Sequence, residues 1–442
     1  MYLPESVLQC IHALESAGFE AYAVGGCVRD SLLGLTPNDY DLCTNATPAQ
    51  IAALFSGHTL IRSGEKHGTI GVVLDGAVYE ITTFRKEGGY QDSRHPDWVE
   101  FVPDIREDLA RRDFTINAMA YHPKTGYIDP FGGQQDLENK VLRAVGHAPT
   151  RFQEDALRIL RGVRFAVRFG LTPERTTMDA MLSLAPLMDQ LAKERIFQEL
   201  CGLLPVIRAR ELIVFAPILT QVLPALAPCV SFQQHSRHHK YDVFTHTAYV
   251  VEDTPPVLPL RWAALLHDTG KPVTFSMDET GNGHFLGHAQ VSAQIADETL
   301  LQLKAPTALR EQVVFLISHH MTKLEPDRKL LRRRLGKWGT DMTRMLLQLQ
   351  QADMGGKGVL NPQDMGQFAL IHKEIDRVLA EEACFSVKDL AINGNHLLEL
   401  GFAPGKGIGA CLQCLLEQVQ QELIPNEPSA LLQAAVNYKQ KL

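Results

Sequence analysis

Asp39 and Asp41, in the segment NDYD, are separated by one residue. Side chains two positions apart on a strand point to the same face, so this spacing predicts two neighbouring carboxylates. Such a pair can bind two Mg²⁺ ions, which activate an attacking hydroxyl and stabilise a leaving phosphate oxygen. The same letters are also common at turns and solvated strand ends, so the pair alone leaves both interpretations open.

Gly25 and Gly26 lie upstream, between an apolar strand pattern and the helical pattern VRDSLLG. A glycine turn before a helix exposes backbone N–H groups to phosphate oxygens, and Arg29 could add charge-assisted hydrogen bonds. The segment therefore predicts a triphosphate site beside the aspartate pair.

Asp155 and Arg158 lie three residues apart in EDALR, within a helical pattern that predicts one shared face. Cytosine and adenine both present an amino donor beside a ring-nitrogen acceptor. A carboxylate and a guanidinium match that edge, whereas uracil and guanine would leave both groups mispaired. The alternative is an ordinary surface salt bridge between successive helical turns.

Histidines and aspartates recur along the second half of the chain on successive predicted helices. Such side chains can converge on a divalent metal that activates water against a phosphoester. A single histidine on an apolar helix is more often a core residue, so only the set favours a metal site. Its members are His246, His267, Asp268, His288, His319 or His320, and Asp353.

The elements that must position these residues change along the chain. Up to about residue 146, β-rich segments alternate with helical patterns, which predicts a mixed sheet with helices. These segments lie near residues 20–26, 69–84, 99–102 and 117–123. Beyond residue 150 the strand signals largely stop, and apolar residues follow helical periods broken by Pro or Gly. We expect a small α/β head and a larger helical body.

The composition is that of a globular protein: 442 residues, 45% of them hydrophobic, with a net charge of -8. A nucleic-acid partner would therefore have to meet local basic patches. No apolar segment is long enough to span a bilayer, and the N-terminus lacks signal-peptide features, so we expect a cytoplasmic protein. The closest cysteine pair, Cys411 and Cys414, reads as small helix residues and not as a zinc site.

Five motifs together resemble the class II tRNA nucleotidyltransferase and bacterial poly(A) polymerase family. They are GGCVRDSLLG with NDYDLCTNATP, EITTFRKEGGY, RRDFTINAMA, DPFGGQQDL and EDALRILRGVRFA. The resemblance implies an α+β chain with a polymerase-β-like head and all-α neck, body and tail. We place the head at residues 1–146, a neck and body for base selection and tRNA binding at 147–230, and a tRNA-binding tail at 361–442.

The resemblance assigns roles to the matching residues. Asp39 and Asp41 correspond to the metal-binding pair, and Glu80 is a candidate supporting acid. The glycines of DPFGG match a hinge between head and neck. The implied nucleotide-binding residues are Gly25, Gly26, Arg29, Arg111, Arg112, Asp113, Asp155, Arg158, Arg161 and Arg164.

Two sister activities share these motifs. Poly(A) polymerases usually carry a basic GRRF-type segment after the TNATP motif, whereas this chain has HTLIRSGEKHGTIGVV, which is similar to the CCA-adding branch. The segment RKEGGYQDSRHPDWVEFV resembles the flexible loop of enzymes that add all three nucleotides, with Asp92 and Arg94 in the expected arrangement. Full CCA addition is favoured, and A-only addition stays open.

The motif HDTGKP and the histidine set resemble the HD metal-dependent phosphohydrolase superfamily, which places an HD domain at residues 231–360. The resemblance makes His246, His267, Asp268 and Asp353 the core ligands of Mg²⁺ or a divalent transition metal. His288 with His319 or His320 would complete a second site. A 2′,3′-cyclic phosphate or a terminal phosphate on damaged tRNA would suit such a site. Decay into a scaffold is the alternative.

A basic segment, DRKLLRRRLGKWG, stands out within this acidic protein. Its Arg332, Arg333 and Arg334 could contact tRNA phosphates or form a solvated helix face. Lys406, in a glycine-rich segment that resembles a C-terminal element of the family, could also approach RNA.

These expectations describe a Mg²⁺-dependent enzyme that adds CCA to tRNA from CTP and ATP, without DNA or membrane partners. The alternatives are a poly(A) polymerase, an HD phosphohydrolase with a silent head, and a non-catalytic tRNA-binding protein. The sequence leaves the oligomeric state, the HD substrate and the termination of addition open.

Overall fold

The computed structural model describes residues 1–88, 98–359, 362–380 and 386–440. The chain forms two compact units, residues 1–207 with 214–224 and residues 208–213 with 225–442. The first combines a mixed sheet with helices, and the second is mainly helical. This confirms the predicted α+β class. The division into four regions is finer than these two units and stays a prediction.

A seven-stranded mixed sheet organises the head in the order β3-β4-β5-β2-β1-β8-β9. β2 runs parallel to β5, and the other neighbouring pairs are antiparallel. Asp75 and Gly76, both at positive φ, form the tight turn between β4 and β5. The strands are β1 (Ala21–Val24), β2 (Asp41–Thr44), β3 (Thr59–Ile61), β4 (Thr69–Leu74), β5 (Ala77–Thr83), β6 (Arg85–Gly88), β7 (Trp98–Phe101), β8 (Ala120–His122), β9 (Gly126–Ile128), β10 (Val141–Leu142), β11 (Thr172–Pro173), β12 (Ser276–Met277) and β13 (Gly283–His284).

Side-chain caps mark the start of some of the helices up to residue 222. Thr47 and Gln50 form a capping box at α3, with Pro48 as its first residue. The Asp104 carboxylate caps α4. These helices are α1 (Glu5–Ser16), α2 (Gly26–Leu32), α3 (Pro48–Leu54), α4 (Ile105–Ala110), α5 (Gly133–Glu138), α6 (Ala148–Glu154), α7 (Leu157–Phe169), α8 (Arg175–Leu184), α9 (Lys193–Leu203), α10 (Ala209–Val214) and α11 (Ala216–Val222).

The remaining helices carry the predicted HD residues and the tail. Asp242 caps α12 and Asp327 caps α17 through side-chain hydrogen bonds. The helices are α12 (Val243–Asp253), α13 (Leu258–Leu266), α14 (Lys271–Thr274), α15 (His288–Gln302), α16 (Thr307–His319), α17 (Arg328–Trp338), α18 (Thr340–Gly356), α19 (Pro362–Ala380), α20 (Gly394–Glu399), α21 (Lys406–Gln420) and α22 (Pro428–Lys439).

Apolar clusters hold each unit together. In the head, Val24, Cys43 and Phe84 pack against Leu109 of α4. In the tail, Cys411 is fully buried among leucines of α20–α22, as expected for a small helix residue. In the described part of the chain, no helix combines the length and apolar character needed to cross a membrane.

Candidate active site and metal centre

The predicted head residues converge on one polar cleft of about 550 Å³. It lies in the first unit and is lined mainly by arginine and aspartate side chains. The predicted residues in its lining are Gly25, Gly26, Arg29, Asp39, Asp41, Arg111, Arg112, Asp113, Asp155, Arg158, Arg161 and Arg164. Residues separated by more than a hundred positions in sequence thus share a single site.

The aspartate pair lies at the start of β2, the central strand of the sheet. Asp41 is the first residue of β2 and lies opposite Val24 of β1. Asp39 precedes the strand, so the expectation that both aspartates lie on one strand is wrong, although both line the cleft. Partial desolvation, together with the charges of Asp39 and Glu80, raises the pKa of the Asp41 carboxyl to about 6. Glu80 acts there through its charge and does not line the cleft. This concentration of negative charge suits divalent cations.

The glycine turn has the backbone that a phosphate site needs. Gly25, at φ +76, precedes the first residue of α2, Gly26. The positive φ favours glycine, and a Cβ at Gly25 would lie 2.8 Å from Nη1 of Arg112, so that guanidinium would have to shift. Arg29 is buried in α2, where its guanidinium binds Asp30 and donates to Asn117.

A buried carboxylate organises the RRD motif. Asp108, fully buried in α4, binds Arg111 at 2.9 Å and Arg112 at 3.4 Å. Burial alone would raise the pKa of the Asp113 carboxyl. The Arg161 guanidinium and the Asn117 amide outweigh burial and hold that pKa at about 2. Asp113 is therefore a fixed anion at the wall of the cleft.

Asp155 and Arg158 lie on the cleft but not on one helix. Asp155 is extended, with φ -145 and ψ 103, between the end of α6 and the start of α7. Its Oδ1 accepts a hydrogen bond of 3.0 Å from the Leu157 amide, so it acts as a cap of the helix that carries Arg158. The predicted shared helical face is wrong in detail. The two side chains meet at the same cleft because the chain turns at Asp155.

The second unit gathers the predicted HD residues into a buried cluster. Two overlapping groups have potential ligand atoms within 4.8 Å of one another, and they share Asp268. The groups are His246, His267 and Asp268, and Asp268, His288 and His320. Asp353 of α18 adds a carboxylate whose Oδ1 lies 3.0 Å from Nε2 of His246. The structure thus brings the four predicted core residues together.

Backbone contacts orient three of the imidazoles. Nδ1 of His267, His288 and His320 lies 2.8, 2.8 and 2.6 Å from the backbone carbonyls of Ala264, Phe285 and Ile317, respectively. A hydrogen bond from Nδ1 fixes the ring and leaves Nε2 as the ligand atom, an arrangement common in metal sites. Nε2 of His267 lies 3.2 Å from Oδ2 of Asp268 and 3.8 Å from Oδ1 of Asp353. These atoms fit a divalent metal.

His319 is not part of this cluster. It is the last residue of α16, and its ring stacks on Phe315 at 4.3 Å and contacts Trp338 at 5.2 Å. The next residue, His320, turns inward instead and lies 3.2 Å from Nε2 of His288. Of the two histidines predicted as alternatives, the structure therefore selects His320 and corrects His319.

The structure corrects one of the predicted RNA-binding residues and leaves others as predictions. Arg332 is 8% exposed and pairs with Glu422 at 3.2 Å, which corrects its assignment to a solvent-facing RNA surface. The Arg334 guanidinium lies over the Trp338 ring. Arg333 and Lys406 are exposed, so they stay predictions. The loop residues Asp92 and Arg94 lie outside the described residues.

Several residues in these sites are not among those predicted from the sequence. Asn117, Arg168 and Arg195 line the head cleft. Arg195 lies in KERIFQEL, which reads as an ordinary amphipathic helix. Lys271, buried 2.7 Å from Oδ2 of Asp268, could have been found, because it follows that aspartate by three residues in HDTGKP.

Known families match two parts of the chain. Residues 21–143 match the Poly A polymerase head domain, and residues 276–435 match tRNA nucleotidyltransferase domain 2. The sheet, the aspartate pair and the arginine-lined cleft belong to the nucleotidyltransferase class. The chain is 33% identical to the CCA-adding enzyme of Latilactobacillus sakei subsp. sakei, with 98% of both chains covered. It belongs to the family of CCA-adding enzymes.

Other relatives agree with this assignment. The CCA-adding enzyme of Geobacillus thermodenitrificans is 43% identical over 50% of this chain and 52% of its own. The crystal structure of the Bacillus stearothermophilus CCA-adding enzyme in complex with CTP superposes with a TM-score of 0.72 at 26% identity, covering 100% of this chain and 99% of that one. The Thermotoga maritima CCA-adding enzyme complexed with tRNA has a TM-score of 0.58 at 19% identity, with 99% and 96% coverage, and shares the fold.

Proposed function

We propose that this enzyme adds cytidine, cytidine and adenosine to the 3′ end of tRNA, using CTP and ATP and releasing pyrophosphate. The observation that carries the proposal is the convergence of the aspartate pair, the glycine turn and the Asp155–Arg158 pair on one cleft. The similarity to CCA-adding enzymes, one of them solved with CTP, supports the same substrates. We propose that the activity is cytoplasmic.

Asp39 and Asp41 are the residues that would hold Mg²⁺. Bound there, the metal would make the tRNA 3′-hydroxyl a better nucleophile and offset charge on the departing pyrophosphate. The protein supplies the carboxylates in a cleft whose remaining wall is positively charged. Asp41 must be ionised to act as a ligand, so its raised pKa makes the metal ion and the proton compete for the carboxylate.

The arginine wall holds the rest of the nucleotide. Arg111 and Arg112 are anchored by buried Asp108, which keeps their positions fixed in the absence of substrate. Asp113 is an anion that accepts from Arg161 at 2.8 Å, and it could also accept from a ribose hydroxyl. Pre-oriented charges of this kind stabilise a transferring phosphoryl group without reorganisation at the moment of reaction.

Base selection falls to Asp155 and Arg158. Nη1 of Arg158 donates to the Glu154 carboxylate at 2.7 Å and to the Arg151 carbonyl, and Nη2 donates to the Arg111 carbonyl at 3.0 Å. Within the described chain this leaves Nε–H and one hydrogen of Nη2 for a ligand. Two donors beside a carboxylate match the ring nitrogen, carbonyl and amino group of cytosine, and the ring nitrogen and amino group of adenine.

A direct test is the incorporation of labelled CTP and ATP into tRNA that lacks its terminal CCA. The wild-type protein should incorporate label in the presence of Mg²⁺, whereas Asp41→Ala should reduce the rate by several orders of magnitude. Arg175→Ala serves as a control, because Arg175 is exposed and does not line the cleft. Equal incorporation by wild type and Asp41→Ala would reject the proposal.

We propose a second activity for the buried histidine cluster, hydrolysis of phosphoesters at damaged tRNA 3′ ends. The supporting observation is the pair of overlapping ligand groups with carbonyl-oriented imidazoles. Bound Mg²⁺ or a divalent transition metal would supply an activated water. A 2′,3′-cyclic phosphate or terminal phosphate blocks the hydroxyl that the head requires, so its removal would restore the primer.

The test is release of the phosphate block from a tRNA ending in a 2′,3′-cyclic phosphate, with Mg²⁺, Mn²⁺, Co²⁺ or Ni²⁺ added to the full chain. His267→Ala should abolish release and leave CCA addition to an unblocked tRNA unchanged. A lack of release with each metal would leave the cluster as a structural element. A poly(A) polymerase is the remaining alternative for the head. The length and nucleotide content of the products distinguish A-only addition from full CCA addition.

A further inference from the structure

Arg195 links a neighbouring helix to the base-selecting carboxylate. It lies on α9, and its Nη2 donates to Oδ2 of Asp155 at 2.7 Å. Both side chains are mostly buried, with 21% and 17% of their surfaces exposed. Arg195 also lines the nucleotide cleft, and its Nη1 is buried without a hydrogen bond within the described residues.

This contact fixes a side chain that the backbone alone would leave free. Asp155 stands in the single break between α6 and α7, so no helical neighbours restrict its rotation. Its Oδ1 is held by the Leu157 amide, and Arg195 holds Oδ2. Two hydrogen bonds to different oxygens set the plane of the carboxylate, and each oxygen keeps the capacity to accept a further hydrogen bond in the cleft that Asp155 lines.

A second ionic contact holds Arg158, the other member of the base-selecting pair. Arg158 is bound by Glu154, which itself pairs with Arg151 of α6. Each member of the base-selecting pair therefore has an oppositely charged residue behind it. Of these two supports, only Arg195 comes from outside the α6–α7 segment, so it is the one that ties base selection to the α9 helix.

We propose that Arg195 is a positioning residue that sets nucleotide selectivity by holding Asp155 as a fixed hydrogen-bond acceptor. The inference rests on the proposed role of Asp155 in reading the base. An acceptor in a fixed plane favours the amino groups of cytosine and adenine over the carbonyl groups of uracil and guanine. Without Arg195 the carboxylate loses one of the two contacts that fix its plane, so it can turn away from the amino group and the preference for cytosine and adenine falls.

The test compares kcat/KM for CTP, ATP and UTP in wild type, Arg195→Ala and Arg195→Lys. Loss of a charge-assisted hydrogen bond predicts a fall of about tenfold to a hundredfold for CTP and ATP in Arg195→Ala. UTP gains nothing from an acceptor at this position, so its value should fall much less and the CTP-to-UTP ratio should collapse. Arg195→Lys keeps the charge and should recover part of the ratio.

A matched control lies on α7, at another arginine that lines the cleft. Arg164 pairs with Glu199 of α9 at 2.6 Å but does not contact Asp155, so Arg164→Ala should lower the rate with each nucleotide by a similar factor. In an Asp155→Ala background, Arg195→Ala should have no further effect on the ratio. Thermal unfolding of each variant checks that the comparison is made on folded protein.

Two outcomes would overturn the inference. An equal loss for CTP and UTP in Arg195→Ala leaves their ratio unchanged and would indicate a structural role only, and kcat/KM values equal to those of the wild type would exclude any role for Arg195. The ratio of the dissociation constants for CTP and UTP, measured on the protein without tRNA, makes the test independent of turnover. Selective binding of CTP by a wild type that adds no nucleotide would reject the proposed function and still test Arg195.

Discussion

The raised pKa of Asp41 predicts that metal binding in the head weakens steeply below pH 6. A metal ion competes with the proton for the carboxylate, so the apparent dissociation constant rises by the factor 1 + 10^(pKa−pH). With the Asp41 pKa at about 6, that factor is about 1 at pH 7, about 4 at pH 5.5 and about 11 at pH 5. An ordinary aspartate, with a pKa of about 3.9, would give a factor of about 1 throughout.

The assay is Mn²⁺ binding, followed by water-proton relaxation between pH 5 and pH 8 without nucleotide. Both the wild type and Asp41→Asn contain the histidine cluster, so the difference between their titrations isolates the head site. Glu80→Gln supplies a second check. The Glu80 charge raises the pKa of Asp41, so its removal should lower that pKa and reduce the loss of affinity at pH 5. Constant head-site affinity down to pH 5 would refute this account of the aspartate pair.

Three further predictions concern the fold and the two sites. Gly25→Ala should lower both the melting temperature and kcat/KM, because the φ of +76 is strained for alanine and the added Cβ would meet Arg112. Calorimetry and a rate assay check this prediction. A variant with the melting temperature and kcat/KM of the wild type would contradict it. Asp113→Asn should cost about 2 kcal/mol of stability at pH 7, because a carboxyl with a pKa of about 2 when folded and 3.8 when unfolded stabilises the fold above pH 4. That difference should shrink in urea unfolding as pH falls from 4 towards 2, and a constant difference would argue against the Arg161 pair as its cause. Asp268→Ala should abolish metal-dependent phosphatase activity and reduce the Co²⁺ retained after gel filtration, and undiminished Co²⁺ would exclude the cluster as the metal site.

Local sequence patterns predicted the elements of the head well. The alternating segments that became β1, β4, β5 and β8 have the period of strands, and that period depends only on neighbouring residues. The prediction that the head residues share one site rested on the five linked motifs taken together and not on any single pattern. By itself, NDYD would have fitted a turn equally well.

The wrong predictions concern side-chain directions, which depend on local backbone geometry and packing that the sequence pattern does not contain. His319 and His320 are adjacent, and successive helical residues point about 100° apart, so the pattern could not say which faces the metal cluster. Asp155 fits a helical period, yet it ends one helix and caps the next. Arg332 lies in a basic segment, and only the packing of α17 reveals its pairing with Glu422.

The central claim is tested most directly by the length of the product formed on tRNA that ends at the discriminator base. We predict two additions with CTP alone, none with UTP, and a third addition only when ATP is present with CTP. A long ladder with ATP alone would assign the head to poly(A) synthesis, and no extension under any condition would contradict nucleotidyl transfer by this cleft.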